Sequence, residues 1–147
     1  MNIGMRKSHK KVVVDTNVML SDIVFGGKPR VLTALIVQNT ITAYTSPDLL
    51  AELLRILKQK FLLTAEELRF IETKMKKNFK IVYPKRRMRV LKDEPDNRVL
   101  ETALEGNCDF IVTGDKDLLK LGKYKNIEII SINYFLDSTK KNSQPSL

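Results

Sequence analysis

The chain has 147 residues with a single cysteine, and 26 Lys and Arg outnumber 17 Asp and Glu for a formal charge of +9. That length suits one domain whose core needs no staple, and a lone Cys108 excludes an intramolecular disulfide framework. The positive excess points to a polyanionic partner, nucleic acid foremost, while apolar runs as short as Ala34 to Val37 fall far below the ~20 residues of a membrane span.

The basic start lacks the apolar segment of a secretion signal, so a cytoplasmic protein without a membrane partner is expected. His9, the sole histidine, precedes the first element and reads as an ordinary surface residue. Lys11 to Val14 then reads as a strand buried on both faces, ending abruptly on Asp15, Thr16 and Asn17. A carboxylate there is costly unless something pairs with it.

Asn17 to Ile23 reads as a short helix, Gly26-Gly27-Lys28-Pro29 as a break, and Arg30 to Gln38 as a second helix with Pro29 near its start. Ile41 to Thr45 is the next strand. Ser46-Pro47-Asp48 opens a helix running to about Gln59, with Ser46 as cap and Asp48 at the positive end of the dipole. On its helical wheel, Glu52 lies about 40° outside the apolar arc, from which it can reach sideways toward the place where the helix begins.

Thr64 with Glu67 forms a capping box for a helix whose Leu68, Ile71 and Met75 share a face. From Lys74 to Lys92 nine basic residues occur without an acid, interrupted by a strand over Lys80 to Tyr83. Glu94-Pro95-Asp96 opens another helix, striped by Val99, Leu100, Ala103 and Leu104 and closed at Gly106. A strand over Phe110 to Thr113 follows, with Gly114 read as allowing a tight turn and a short helix from Asp115 to about Leu121. Ile127 to Ser131 is the last strand, leading into a helix over Asn133 to Leu136. Residues 1–137 thus form one domain and 138–147 a polar, frayed tail.

This alternation predicts a doubly wound α/β sheet, in which ligands bind at the carboxyl edge of the strands. Asp15, Asp115 and Asp117 follow strands directly, Asp96 opens a helix on that edge, and Glu52 approaches from the side. Converging carboxylates repel one another unless a hard cation such as Mg²⁺ or Mn²⁺ holds them ionised. Each acid also has an ordinary role as cap or turn residue. Their coincidence at one edge is what argues for a site.

Four stretches, V-V-V-D-T-N-V, S-P-D-L-L-A-E-L, D-E-P-D-N-R-V-L-E-T-A-L and F-I-V-T-G-D-K-D-L-L, resemble in order and spacing the PIN domain family, in particular the toxin components of toxin–antitoxin systems. The resemblance covers Lys11 to Leu136. It implies a three-layer α/β/α fold with a central parallel sheet of strand order 3-2-1-4-5, and a metal-dependent ribonuclease acting on single-stranded RNA. It also implies a homodimer and an antitoxin protein as partners. Its acids correspond here to Asp15, Glu52, Asp96 and Asp115, with Asp117 as a candidate fifth. Asp15, Asp96, Asp115 and Asp117 are the candidate metal ligands.

Asp93 competes with Asp96 for the third position. Asp96 is preferred because it sits immediately before the apolar stripe. Thr16, Asn17 and Thr113 are candidates for orienting carboxylates, and Lys85, Arg86, Arg87 and Arg89 for following an RNA backbone. One or two divalent ions would activate water and neutralise the phosphate. Two other readings stand beside this one. A non-catalytic RNA-binding adaptor would keep the fold and the basic contacts without turnover. A phosphoacceptor receiver needs adjacent acids after the first strand, where Thr16 and Asn17 stand instead.

Overall fold

Val12 and Val14 point into one core and Val13 into another, which is what a strand covered on both faces requires. In the computed structural model, which describes residues 10–143, this strand β1 (Lys11–Val14) lies in the middle of the sheet. Its neighbours are β2 (Thr42–Thr45) and β4 (Phe110–Val112), both parallel to it. β3 (Lys80–Ile81) extends the sheet beyond β2, and β6 (Ile127–Ile130) extends it beyond β4, again in parallel. His9 lies outside the described residues.

Helices α1 (Thr16–Val24), α2 (Lys28–Val37), α3 (Pro47–Gln59), α4 (Ala65–Asn78) and α7 (Ile132–Ser143) cover the face of Val12 and Val14. α5 (Glu94–Glu105) and α6 (Lys116–Leu121) cover the face of Val13 and Ile111. The result is a three-layer α/β/α arrangement. Its helix starts follow the local chemistry: Ser46 accepts from the Leu49 amide, and Thr64 and Glu67 form the reciprocal capping box. No helix among the described residues is long and apolar enough to cross a membrane.

The five expected strands stand in the expected order, but the sheet has a sixth, giving β3-β2-β1-β4-β6-β5. The addition, β5 (Lys123–Tyr124), pairs antiparallel with β6, Lys123 opposite Glu128 and Tyr124 opposite Ile127. Gly122 at φ +73° ends α6 and sends the chain into this hairpin, whose turn places Lys125 at φ 54°. The left-handed position is a lysine and not a glycine or asparagine, so Gly122 and Asn126 are the only turn-favouring residues around this short hairpin.

Other boundaries moved. β3 stops at Ile81, although the Val82 amide still reaches the Thr45 carbonyl at 2.9 Å, and Tyr83 is exposed. α7 continues to Ser143 instead of fraying after Asp137: Phe135 is fully buried, and Ser138 and Thr139 return their hydroxyls to the carbonyls of Phe135 and Leu136. Gly114 is not in the left-handed region and a Cβ there would meet nothing within 4 Å, so the tight-turn role expected of it is absent. Gly106, in contrast, is required by close approach, since a Cβ would lie 2.8 Å from the Tyr44 ring.

Candidate metal centre

β1 and β4 deliver two acids to neighbouring points on the carboxyl edge. The Asp15 amide bonds the Val112 carbonyl at 2.9 Å, so pairing of the two strands carries through to the acid. Its side chain is buried and makes no cap hydrogen bond to α1; instead Oδ2 accepts from the Thr113 hydroxyl at 2.6 Å. Thr113 Oγ in turn accepts from the Asp115 amide at 2.9 Å. One buried threonine therefore links the ends of both strands.

Asp115 is the N-cap of α6, its Oδ1 accepting from the amides of Asp117 and Leu118 at 2.9 and 3.0 Å. Across from it lies the N-terminus of α5. Asp93 holds the N-cap position yet its side chain makes no cap hydrogen bond, and Asp96 sits in the first turn. Asp93, Asp96 and Asp115 each place one carboxylate oxygen within 4.8 Å of the others. The alternatives for the third acid are thus both present in one group.

Asp96 is 5% exposed, and its buried Oδ2 has no hydrogen-bond partner. Burial, followed by the charges of Asp115, Asp15 and Asp93, pushes its carboxyl up to about 7. Burial also raises Asp15, opposed by the Thr113 hydrogen bond and the nearby amides of Thr16 and Asn17, while Asp115 adds repulsion. Glu52, half-buried on α3, is raised by burial and then by the charge of Asp15, with Arg55 pulling down and Asp93 pushing up. Asp15 and Glu52 flank the three-acid group without belonging to it. A donor set of carboxylate oxygens with one buried oxygen unpartnered fits a hard divalent cation.

The other sequence candidates are placed differently. Asp117 is exposed and outside the three-acid group, contributing its amide to Asp115. Among the described residues, no side-chain hydrogen bond ties Thr16 or Asn17 to an acid; Thr16 is buried and Asn17 exposed. Lys85, Arg86 and Arg89 are exposed with no ion pair among the described residues. Arg87 is engaged, with Nη1 2.7 Å from Asp48 and 3.4 Å from Glu101. Burial pushes the Cys108 thiol up to about 12, as befits an inert core residue.

Three further residues of α5 were not anticipated. Asn97, 2% exposed, accepts from the amides of Val90 and Leu91 and donates to the carbonyls of Leu91 and Asp93. Glu101, 4% exposed, accepts from the Met88 amide at 2.7 Å and pairs with Arg98 at 2.8 Å. Arg98 also donates to the Met88 carbonyl but leaves its buried Nε without a partner. The available signal was their spacing beside the apolar stripe, which reads equally as a solvated helix flank.

The sequence pattern of the PIN domain family matches residues 11–117, from β1 into the first turn of α6. The chain belongs to the PIN domain family. An uncharacterized protein of Methanocaldococcus jannaschii is similar to it, with 35% identity over 136 residues covering 87% of each chain. PIN domains are typically metal-dependent nucleases, and the acids from Asp15 to Asp117 all lie within the matched span of this PIN domain. Its three-acid group has the donor chemistry such an activity calls for.

Proposed function

We propose that this PIN domain is a Mg²⁺- or Mn²⁺-dependent endoribonuclease that hydrolyses phosphodiester bonds in single-stranded RNA. The observation that carries the reading is the buried, unpartnered Oδ2 of Asp96 within a group of acids that repel one another when ionised and whose oxygens suit a divalent cation. Asp96, Asp115 and Asp93 would hold the ion, with Asp15 completing the set across the end of β1. When bound, the ion supplies an acidified water and neutralises charge on the scissile phosphate.

The protein groups have separate tasks. Thr113 holds Asp15 in one orientation through its hydroxyl. Glu52, whose carboxyl is raised by burial and then by the charge of Asp15, is suited to accept a proton from the attacking water. Lys85, Arg86 and Arg89 are free to meet phosphates and supply the sequence-independent part of the affinity. In the toxin reading the partners are an antitoxin protein and a second copy of the chain, and the compartment is the cytoplasm.

A cleavage assay on labelled single-stranded RNA tests this. Wild-type protein should cut with Mn²⁺ or Mg²⁺ and stop with EDTA. Asp15→Asn should lose cleavage by more than roughly a hundredfold, the upper end for changes around a metal ligand, while keeping its circular dichroism spectrum. Cleavage at wild-type rate by Asp15→Asn would remove the proposal. RNA binding without metal-dependent turnover would instead point to an adaptor.

A further inference from the structure

Residues 84–92, between β3 and α5, have no regular structure but a regular set of attachments to α5. The Lys85 amide donates to Glu105 at 3.2 Å, the Met88 amide to Glu101 at 2.7 Å, and the Val90 and Leu91 amides to Asn97 at 3.0 and 2.8 Å. Asn97, Glu101 and Glu105 stand four residues apart, hence on one helix face, and are met in reverse order by the segment. The strap therefore runs antiparallel along α5 for about 12 Å, toward the end capped by Asp93. With its backbone amides turned to the helix, Lys85, Arg86 and Arg89 remain exposed.

Glu101 is the central rung. It is buried where its neighbours Leu100 and Ala103 are core residues, and its charge is offset by Arg98, Arg87 and the Met88 amide together. Arg98 takes the Met88 carbonyl, so both polar backbone groups of Met88 are held from α5. Asp48 on α3 grips Arg87 from the other side.

We propose that Glu101 is a positioning residue for RNA, fixing residues 84–92 as a preformed basic track that leads to the acidic group at the start of α5. The inference rests on the ribonuclease reading and adds to it which side chain organises the substrate-binding segment. It requires Glu101 to affect substrate affinity and not the acids, because Asp93, Asp96 and Asp115 are outside its contacts.

The test uses the full chain and a single-stranded RNA oligonucleotide. Glu101→Gln keeps shape and one acceptor but loses the charge that holds Arg98 and Arg87. KM should rise roughly tenfold, the equivalent of one charged hydrogen bond, with kcat and Mn²⁺ affinity within about twofold of wild type. Limited trypsin digestion should cut after Lys85, Arg86, Arg87 or Arg89 faster than in wild type. Glu105→Ala, which removes an outer rung without disturbing a buried charge, should raise KM roughly threefold and decides the matter if Glu101→Gln fails to fold.

Wild-type KM in the folded variants would overturn the inference, as would a fall in Mn²⁺ affinity with KM unchanged. Both leave the ribonuclease reading in place. A wild-type protein that neither binds Mn²⁺ nor cuts RNA would remove the two together.

Discussion

Asp96 and Glu101 are buried carboxylates on the same helix, and their surroundings are opposite. Glu101 meets two arginines and a backbone amide. Asp96 meets Asp93, Asp115 and the field of Asp15, and keeps an oxygen with no partner. A buried charge is tolerated when the fold supplies its counterpart. At Glu101 the chain supplies it from α5 and the strap; at Asp96 it supplies more of the same sign. The first carboxylate finds its counter-charge within the chain; the second finds none there, and its charge is relieved by a proton or suits a divalent cation.

Unfolding of the metal-free protein in urea should separate the two sites most widely. Glu101→Ala breaks an ion pair and strands Arg98, and should cost roughly 3–5 kcal/mol. Asp96→Asn relieves repulsion and should leave the protein as stable as wild type or more so. Mn²⁺ should then raise the melting temperature of wild type and Glu101→Ala but not of Asp96→Asn. A destabilised Asp96→Asn would mean that its carboxylate has a counterpart within the chain, and the contrast would fail.

A smaller effect is expected from pH. With its folded value raised to about 7, Asp96 holds a proton in the native state over a range where the unfolded chain has released it. Stability of the metal-free protein should fall as pH rises from about 4 to about 7, by a few kcal/mol at most, and level off above. Saturating Mn²⁺ should flatten or reverse that slope, because a bound ion favours the ionised acids. A stability curve rising over this window without metal would show that the acids are not in mutual repulsion.

The Asp96 half of this contrast was readable from sequence; the Glu101 half was not. Asp15 and Asp115 announce themselves because each follows a buried apolar run, and because β1 and β4 are parallel both emerge on the same carboxyl edge. The alternatives Asp93 and Asp96 lie in one group because the N-cap and the first turn of one helix turn two carboxylates toward one point. Nothing in the chain marks the partners of Asn97 and Glu101, because the strap has no periodicity and its amides are claimed by side chains 6 to 20 residues later. The β5 hairpin is weakly marked for a related reason: its strand has two residues and its left-handed turn residue is a lysine.

The smallest effect distinguishes arginines within the strap. Arg87 is already paired with Asp48 and Glu101, whereas Arg86 has no such pair among the described residues. Removing a side chain that neutralises one phosphate should reduce the salt slope of single-stranded RNA binding by about 0.7. Arg86→Gln should show that change at unaltered thermal stability. Arg87→Gln should change the slope less, since a guanidinium held by two carboxylates releases few counterions, while loosening the strap and so increasing its cleavage by trypsin. Equal slope changes for the two would mean that Arg87 leaves its carboxylates to bind phosphate, and the track would then be remodelled by RNA instead of being built before RNA arrives.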